Sequence, residues 1–403
     1  MSIVELENSV LKGKVNIPPS KSAAHRALIC SFLSGGGKVD GIIDSSDMKA
    51  TTGALEALKS GKEVINCIES GSTLRFIIPI AAALGKKVCF TGSGRLPERP
   101  IGEYIRLLEE HGVKCESNGF LPLKIEGKLK AGMYKLRGDI SSQYVTGLLL
   151  ALPLLNEKSE IVLTSPLQSK PYVDMTIKVL KDYGIEVEET ENGYLVEGNQ
   201  KYKVRDYSVE GDWSQAAFFL AAGAICGDVT VCRLDMNSTQ GDKKIVDILR
   251  CFGADIETAD NSVRAKKSEL CGIEIDARDI PDMVPALSVI AANAKGKTVI
   301  KNIQRLRLKE SDRVESVVSN LKKAGVNAYS TEDEIIIEGS DIQGAELNGF
   351  NDHRIVMAFS VLALTANGKT TISDAQSISK SYPAYFNDYN SLGGRANVID
   401  NRQ

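Results

Sequence analysis

The stretch KVCFTGSGRLPERPIGEYIRLLEEHGVKCE (residues 87–116) contains one copy of a pattern that recurs along the chain. An apolar run predicts a strand, a polar loop and an amphipathic helix follow, and a glycine precedes a second short strand. Self-similarity of this kind indicates repeated supersecondary units. The copies start at Lys38, Val88, Glu160, Asp228, Lys297 and Lys369.

A second helix of different character precedes each copy. It is apolar on nearly all sides and rich in small residues, which is typical of a buried helix. The six segments are AAHRALICSFLS, TLRFIIPIAAAL, YVTGLLLALPLL, WSQAAFFLAAGAI, MVPALSVIAANA and HRIVMAFSVLALTA. We therefore predict an α/β protein of six units, each with one buried and one surface helix.

The length of 403 residues exceeds what a single core usually supports, so we expect two domains of three units each. The predicted first domain spans residues 19–210. The second combines residues 1–18 with 211–403, because residues 1–18 carry a strand pattern without a buried helix of their own. This arrangement predicts a hinge of two chain crossings near Pro18 and Glu210.

Composition narrows the function classes. A net charge of −3 and 25% charged residues argue against a general nucleic-acid or membrane-surface binder. No apolar run approaches the ~20 residues of a membrane span, and the N-terminus lacks a signal-peptide pattern. Eight scattered cysteines without CxxC pairs predict reduced thiols packed in the core of a cytoplasmic protein. Three distant histidines favour neither a metal site nor a His-based nucleophile.

Short polar groups stand at the starts of the buried helices. Serine and aspartate there are ordinary caps, and helix N-termini also bind anions. Cations are disfavoured at such positions by the helix dipole. Nevertheless Lys21, Arg26, Arg75 and Arg354 are all expected in first turns, and His25 adds a further cation when protonated. Repeated cations at equivalent places predict an anionic small-molecule substrate that neutralises them.

Further cations are expected where the surface helices begin. These are Arg99, Lys309, Arg313 and Lys380. Acids interleave with them: Asp282 follows a proline in IPDMVP, and Glu310 adjoins Lys309. A carboxylate inside a cationic cluster can serve as a general base. For Asp282, a simple helix cap is the alternative interpretation, and the same holds for Ser22, Ser72 and Asp139.

These motifs together resemble the 5-enolpyruvylshikimate-3-phosphate synthase (3-phosphoshikimate 1-carboxyvinyltransferase) family of enolpyruvyl transferases. The resemblance covers nearly the whole chain in order. It is carried by PPSKSAAHRAL, LPERPIG, GDISSQYVTGLLLA, SKPYVDMT, EGDWSQAAFFLAAGA, IPDMVPALSVIAA, LRLKESDR, NDHRIVMA and ISKSYPAYF.

The resemblance implies an inside-out α/β barrel fold of two domains, each with three βαβαββ repeats that close around the substrates. The first domain would be the shikimate-phosphate side and the second the phosphoenolpyruvate side. The implied reaction transfers the enolpyruvyl group of phosphoenolpyruvate to the 5-hydroxyl of shikimate 3-phosphate. It proceeds through a tetrahedral adduct, releases phosphate and uses no cofactor and no metal. A cytoplasmic, monomeric enzyme with these two small-molecule substrates is expected, without nucleic-acid or membrane partners.

The resemblance also implies roles for individual residues. The implied catalytic residues are Asp282, Glu310, Lys309 and Lys21. The implied contacts of shikimate 3-phosphate are Lys21, Ser22, Arg26, Ser141, Ser142, Gln143, Ser169, Tyr172, Asp282 and Lys309. The implied contacts of phosphoenolpyruvate are Lys21, Gly71, Arg99, Gln143, Arg313, His353, Arg354 and Lys380. The family's inhibitor glyphosate is expected beside Gly71.

Two positions depart from the family pattern, where asparagine is common. Glu69 stands at one and Arg305 at the other. Their roles are open at this point.

Two other functions remain as alternatives. One is the related transferase that acts on UDP-N-acetylglucosamine, whose family has Lys-Asn where this chain has Lys21-Ser22 and a reactive loop cysteine where this chain has none. Cys115 is expected in a strand instead. The other alternative is a non-catalytic anion-binding protein on the same scaffold.

Overall fold

The computed structural model describes residues 2–400. Two compact units are present. The continuous unit contains residues 21–209, and the split unit contains residues 2–20 and 210–400. The chain thus changes units between Ser20 and Lys21 and again between Val209 and Glu210. The hinge near Pro18 and Glu210 stays a prediction.

The α-helices within residues 2–400 alternate between buried and amphipathic members. They are α1 (Lys21–Ser34), α2 (Ser46–Ser60), α3 (Gly71–Ala83), α4 (Gly102–Glu110), α5 (Ser142–Ala151), α6 (Lys170–Asp182), α7 (Trp213–Cys226), α8 (Ile245–Cys251), α9 (Val284–Ala292), α10 (Arg313–Lys323), α11 (His353–Leu362) and α12 (Tyr385–Ser391). Short 3₁₀ helices span Leu96–Glu98, Leu152–Leu154, Gly241–Lys244, Pro281–Met283, Gln304–Leu308, Ala363–Thr365 and Ala375–Lys380.

The strands are short, and most lie in four-stranded sheets. They are β1 (Ser2–Leu6), β2 (Lys12–Asn16), β3 (Val39–Asp40), β4 (Val64–Asn66), β5 (Val88–Thr91), β6 (Val113–Glu116), β7 (Leu123–Gly127), β8 (Met133–Leu136), β9 (Ser159–Leu163), β10 (Glu188–Thr190), β11 (Gly193–Val196), β12 (Tyr207–Ser208), β13 (Asp228–Cys232), β14 (Asp255–Ala259), β15 (Ser262–Lys266), β16 (Glu274–Asp276), β17 (Lys297–Lys301), β18 (Asn327–Ser330), β19 (Glu334–Glu338), β20 (Glu346–Leu347), β21 (Thr370–Ser373) and β22 (Ala396–Asp400).

The continuous unit contains two complete βαβαββ repeats. In the first, β4 pairs parallel with β5 across the crossover helix α3, and α4 leads to the antiparallel strands β6 and β7, in the sheet order β4-β5-β7-β6. The second repeats this arrangement as β8-β9-β11-β10, with α5 and α6. The remaining copy, which comes first along the chain, is reduced to α1, β3 and α2. The distant strand β12 supplies the parallel partner of β3.

The split unit contains three four-stranded sheets with the same order. They are β2-β13-β15-β14, β16-β17-β19-β18 and β20-β21-β1-β22. The N-terminal segment contributes to two of them. Strand β2 supplies the parallel partner of β13, and β1 lies antiparallel between β21 and β22. The strand pattern of residues 1–18 therefore completes two repeats whose helices come from residues 213–391.

Burial explains why one helix of each repeat lacks a polar face. In α7, thirteen of fourteen residues are buried, and α9 and α11 pack against it and against each other. In the continuous unit, α3 and α5 approach so closely that a Cβ on Gly147 would collide with the Arg75 carbonyl and the Tyr104 hydroxyl. Glycine is required there by space. Helix α1 differs from the prediction because its last turn is partly exposed.

The structure also bears on the expectations about membrane-spanning helices and about the cysteines. Within residues 2–400, no helix combines the length and apolar character that a membrane crossing needs. All eight cysteines are free thiols. Their predicted burial in the core is wrong for most of them: only Cys30 and Cys67 are buried, while Cys251 and Cys271 are exposed.

Candidate active site

Lys21 begins α1, where the helix dipole disfavours a cation. Its Nζ lies 2.7 Å from Asp47 Oδ2, and both side chains are almost buried. Asp47 is in the first turn of α2, next to the cap Ser45, where the dipole favours an acid. The ion pair offsets the unfavourable place of Lys21 and aligns the starts of two helices.

Arg26 is a buried junction of α1, α5 and α6, and its contact on α5 is Thr146 Oγ1, 3.4 Å from Nη2. Its Nε donates to Thr176 Oγ1 at 2.7 Å on α6, and Nη2 donates to the Tyr172 carbonyl at 2.9 Å. Nη1 donates back to the Ser22 carbonyl at 2.6 Å. Burial lowers the pKa of Arg26 to about 10, which leaves it charged at neutral pH. Protein groups thus already occupy each of its three nitrogens.

His25 belongs to a buried hydrogen-bond chain and contributes no charge to the site. Its Nδ1 lies 2.7 Å from Thr51 Oγ1, which lies 2.7 Å from Thr73 Oγ1, which donates to Ser70 Oγ at 2.8 Å. Burial, followed by the charges of Lys21 and Arg26, lowers the pKa of His25 well below its usual value. The prediction of a protonated His25 among the cations is therefore wrong.

Two guanidinium groups lie against the Cα of Gly71, the first residue of α3. A Cβ added there would lie 2.9 Å from Arg75 Nη1 and 2.9 Å from Arg99 Cζ. Both arginines are buried, and Arg75 also stacks over the Tyr144 ring at 5.6 Å. Two like charges beside a helix N-terminus form an arrangement suited to an anion.

Gln143 connects this arginine pair to α5. Its Oε1 accepts from Arg75 Nη1 at 3.2 Å, and its Nε2 donates to Ser72 Oγ at 3.0 Å. Ser141 caps α5 by accepting from the Gln143 N–H, and Ser142 is the buried first residue of that helix. The predicted SSQ motif therefore stands at a helix start beside Arg75.

The remaining predicted residues of the continuous unit lie at the start of α6. Ser169 precedes the helix with a φ of 58° and is buried. Its carbonyl accepts from the Tyr172 N–H at 3.1 Å, and the Tyr172 carbonyl binds Arg26. The structure thus brings the starts of α1 and α6 together.

In the split unit, Asp282 is the centre of a set of charged residues that we call the second cluster: Asp282, Lys309, Glu310, Arg313, Asp352 and Arg354. Its Oδ1 accepts from Arg313 Nη1 at 2.9 Å and from Lys309 Nζ at 3.3 Å, while Oδ2 accepts from Arg354 Nη2 at 3.1 Å. Asp282 lies in the 3₁₀ turn Pro281–Met283, whose N-terminus has no side-chain cap. The alternative reading of Asp282 as a helix cap is therefore wrong.

Arg313 is the buried core of this second cluster. Its Nε donates to Asp352 Oδ2 at 2.8 Å, and its Nη2 donates to Glu310 Oε2 at 2.8 Å. Burial alone opposes its charge, but Asp352, Glu310 and Asp282 outweigh burial, so the pKa of Arg313 is raised. Asp352 also accepts from Ser311 Oγ at 3.0 Å and caps α11 through the Arg354 N–H.

Lys309 is the titratable cation of the cluster. It follows the 3₁₀ segment Gln304–Leu308, and a quarter of its side chain is exposed. Burial of its ammonium lowers the pKa of Lys309, while Asp282 and Glu310 act in the opposite direction. A lysine with a lowered pKa suits proton transfer better than an ordinary surface lysine does.

His353 and Lys380 lie near the start of α11. His353 is buried, with Nδ1 3.8 Å from Asp352 Oδ1. Lys380 ends the 3₁₀ segment Ala375–Lys380, and its Nζ donates to the Asn351 carbonyl at 2.6 Å. The cations predicted on separate repeats of the split unit therefore meet around one helix N-terminus.

The charge balance of the second cluster corrects the prediction that its cations need an anionic substrate to neutralise them. Three acids, Asp282, Glu310 and Asp352, face the three cations Lys309, Arg313 and Arg354. These cations are neutralised within the protein, so an external anion is not needed to hold them together.

Several expectations about caps and first turns are also wrong. Helix α1 begins at Lys21 and α3 at Gly71, so Arg26 and Arg75 lie in second turns. The caps of α3 and α5 are residues two positions away from those predicted. They are Ser70 for α3 and Ser141 for α5, while Asp139 instead accepts from Arg137 and Ser165.

Sequence reasoning assigned no role to Asp47 and Asp352. The signal for Asp352 was available, because an aspartate directly before a helical HR pair is a typical N-cap. Asp47 carried no comparable signal, since its partner Lys21 is 26 residues away and the pairing depends on how α1 and α2 pack.

Glu69 and Arg305, the two residues that depart from the family pattern, both lie against neighbouring protein groups. The carboxylate of Glu69 packs over Gly94, within 2.6 Å of where a Cβ would stand. Arg305 donates from Nη2 to the Arg278 carbonyl at 2.7 Å, and its charge lies near Lys309. The substrate contacts of all these residues stay predictions. Residues 2–400 contain no group of three or more His, Cys, Asp or Glu side chains placed to hold a metal ion.

Comparison with known proteins gives a consistent family. The family model described as EPSP synthase (3-phosphoshikimate 1-carboxyvinyltransferase) matches residues 7–64 and 58–389. A 3-phosphoshikimate 1-carboxyvinyltransferase of Clostridium novyi is 40% identical over 432 residues, with 99% of each chain covered. Another, from Clostridium kluyveri, is 42% identical over 418 residues, with 98% of each covered. The solved EPSP synthase of Acinetobacter baumannii matches with a TM-score of 0.81 and 26% identity, covering 99% of this chain and 100% of that one.

Proposed function

Because the chain belongs to the EPSP synthase family, we propose that it transfers the enolpyruvyl group of phosphoenolpyruvate to the 5-hydroxyl of shikimate 3-phosphate and releases phosphate. This reaction is a step of the shikimate pathway of aromatic amino acid biosynthesis. The observation that carries the proposal is Asp282, an acid bound by three cationic side chains from two distant segments of the chain.

Binding of two polyanions is the first task of such an enzyme. In the continuous unit, Arg75 and Arg99 at Gly71 would take an anionic group of phosphoenolpyruvate, with Gln143 beside them. Serines at the starts of α5 and α6 supply hydroxyl and backbone donors for the phosphate of shikimate 3-phosphate. Lys21 is held for either anion by Asp47.

The chemical step moves two protons and one phosphate. Asp282 accepts the proton of the 5-hydroxyl, whose oxygen forms a bond to C2 of phosphoenolpyruvate. An acid, Glu310 or Lys309, gives a proton to the methylene carbon, which becomes a methyl group. In the tetrahedral adduct the methyl group returns a proton to the group that supplied it, the C–O bond to phosphate breaks as Asp282 passes its proton to the departing phosphate, and the enol ether double bond forms.

The cations stabilise the charges that develop along this path. Arg313 is locked by Asp352 and Glu310, so it needs no reorganisation during the reaction. Arg354 presents a guanidinium at the N-terminus of α11, and Lys380 adds an ammonium nearby. We assign these three residues to the phosphate and carboxylate of phosphoenolpyruvate, with His353 beside them.

We infer that the enzyme acts as a monomer in the cytoplasm with small-molecule substrates and without a cofactor. The eight free thiols fit a reducing compartment. The UDP-sugar alternative is disfavoured by Cys115, which lies in β6 and whose thiol pKa burial raises to about 11, far from a reactive thiolate.

Steady-state phosphate release tests the proposal. We expect release from phosphoenolpyruvate in the presence of shikimate 3-phosphate and none with UDP-N-acetylglucosamine in its place. Phosphate release from phosphoenolpyruvate with the UDP-sugar, but not with shikimate 3-phosphate, would identify the enzyme as the related UDP-N-acetylglucosamine transferase. Tight binding of both proposed substrates without any phosphate release would identify a non-catalytic anion-binding protein.

A further inference from the structure

Tyr144, in the first turn of α5, touches the surroundings of both arginines at Gly71. The centre of the Arg75 guanidinium lies 5.6 Å from the centroid of the Tyr144 ring. The Tyr144 hydroxyl donates to the Pro100 carbonyl at 2.8 Å, and Pro100 directly follows Arg99 in the chain. One side chain of α5 therefore joins the two segments that carry these arginines.

The ring of Tyr144 supports Arg75 without cancelling its charge. Arg75 Nη1 donates to Gln143 Oε1 at 3.2 Å, and Nη2 donates to the Pro100 carbonyl at 3.4 Å. Both acceptors are neutral groups, and the face of an aromatic ring attracts a cation through its quadrupole. Arg313 of the second cluster differs, because its acceptors are carboxylates. Neutral groups hold the Arg75 guanidinium in place and leave its field available to a ligand.

The hydroxyl of Tyr144 fixes the backbone from which Arg99 projects. Arg99 ends the 3₁₀ segment Leu96–Glu98 in an extended conformation, with φ −79° and ψ 126°, which is usual for a residue before proline. The ring of Pro100 restricts the next φ as well. Because this stretch of backbone is stiff, a hydrogen bond to the Pro100 carbonyl also fixes the position where the buried Arg99 side chain begins.

Tyr144 itself is tightly held. It is 2% exposed, and its ring packs edge-on against Tyr104 of α4, with centroids 4.6 Å apart and an interplanar angle of 83°. The Tyr104 hydroxyl lies 3.0 Å from the Tyr144 carbonyl and 2.8 Å from the Arg75 carbonyl. A support that is itself locked by packing can keep two like charges in a fixed arrangement.

We propose that Tyr144 is a positioning residue that holds the guanidinium groups of Arg75 and Arg99 at Gly71 and thereby sets the affinity for phosphoenolpyruvate. The ring acts directly on Arg75. The hydroxyl acts on Arg99 through Pro100. Because the two cations are ordered in advance, an anion that binds them does not have to order them itself. This inference rests on the proposed function, which assigns both arginines to phosphoenolpyruvate.

The test compares the wild-type enzyme with Tyr144→Phe and Tyr144→Leu in the phosphate-release assay. Tyr144→Phe removes only the hydroxyl and should raise the KM for phosphoenolpyruvate about fivefold, the effect of one hydrogen bond. Tyr144→Leu also removes the ring beside Arg75 and should raise this KM about 20-fold. The kcat and the KM for shikimate 3-phosphate should stay near their wild-type values, because the lost contacts act on the binding of one substrate.

Tyr202→Phe is the matched control for a purely structural effect. Tyr202 is also buried, and its hydroxyl donates to the Leu150 carbonyl at 2.7 Å, near the other end of α5. The control therefore loses the same kind of hydrogen bond to the same helix. It should melt at a lower temperature than wild type, as Tyr144→Phe should, and retain the wild-type KM for phosphoenolpyruvate.

Wild-type KM values for phosphoenolpyruvate in the Tyr144 variants would overturn the inference and leave the proposed function intact. An equal rise in Tyr202→Phe, or an equal rise in the KM for shikimate 3-phosphate, would also overturn it, because either result would indicate a general loss of structure. If Tyr144→Leu does not fold, Tyr144→Phe decides the question alone. Absence of phosphate release by the wild-type enzyme would instead refute the proposed function, so the two failures can be distinguished.

Discussion

Arg313 and Asp352 form a fully buried ion pair, with Arg313 Nε 2.8 Å from Asp352 Oδ2 and at most 1% of either side chain exposed. Asp352 simultaneously caps α11, and Arg313 simultaneously donates to Asp282 and Glu310. One contact therefore joins the start of α10 to the start of α11 and orients the acids of the second cluster.

Asp352→Asn should destabilise the protein and reduce its activity. The substitution leaves the Arg313 charge buried without its closest carboxylate, a change that costs about 3 kcal/mol. Urea denaturation measures the stability, and kcat/KM measures the activity. Glu315→Gln, an exposed change in the first turn of α10, is the control and should stay within about 0.5 kcal/mol of wild type. Equal denaturation midpoints for Asp352→Asn and this control would show that the Arg313–Asp352 ion pair does not stabilise the fold.

Asp282→Ala should lower kcat by about 10²- to 10⁴-fold, the usual contribution of a general base. Binding of shikimate 3-phosphate, measured by calorimetry, should persist because many of its implied contacts lie in the continuous unit. Asp279→Ala, three residues earlier in the same segment and paired only loosely with Lys244, is the matched control and should retain kcat. Near-normal turnover by Asp282→Ala would exclude the base role.

Lys309 should impose an alkaline limb on the pH profile of kcat. An ordinary lysine has a pKa of about 10.5, and burial lowers the pKa of Lys309 below this value. As the pH is raised, the Lys309 ammonium and the activity should therefore be lost earlier than an ordinary lysine would lose its proton. Lys309→Arg keeps a charge that does not titrate in this range, so its limb should move to higher pH even if kcat is reduced. Identical alkaline limbs in the two enzymes would assign the titration to another group.

Gly71→Ala should raise the KM for phosphoenolpyruvate and weaken inhibition by glyphosate. The new methyl group would displace the guanidinium of Arg99 and crowd that of Arg75. The Ki for glyphosate and the KM are measured together. Gly53→Ala is the control, since its Cβ in α2 would meet nothing within 4 Å and should stabilise the helix by about 1 kcal/mol. Unchanged inhibition of Gly71→Ala would show that this packing is irrelevant to the inhibitor.

His25 should make the protein less stable in acid. Its pKa is depressed in the folded state, so below about pH 6.5 the unfolded chain binds a proton that the folded chain refuses. The stability difference between wild type and His25→Gln should therefore decrease as pH falls from 7.5 to 5, by up to about 1.4 kcal/mol per pH unit. Urea denaturation at each pH measures it. A difference independent of pH would mean that the pKa of His25 is the same in the folded and unfolded states.

Much of the fold could be predicted from the sequence because the signals are local. The apolar helices appear within a few residues of their predicted bounds, as α7 and α11 illustrate. Their burial follows from composition alone. The reduced first copy was harder to recognise, because its parallel strand β12 comes some 170 residues after β3 along the chain.

The candidate site was predictable residue by residue but not in its pairings. The cationic positions could be singled out because they break the rules for helix starts, and the acidic positions because they interleave with those cations. The predicted helix caps were misplaced by two residues, since Ser70 rather than Ser72 precedes the first helical residue of α3. An N-cap is decided by the backbone angles at one residue, and composition does not report them.

The order of strands, helices and charged residues is thus a property of the sequence itself, because hydrophobic periodicity and helix-start chemistry act over a few residues. Which charges neutralise one another was decided only by the tertiary structure. Asp282 and Arg354 are 72 residues apart, and Lys21 and Asp47 come from different helices. Such pairs form because packing brings helix starts together, and electrostatic energies depend on distances in space rather than along the chain.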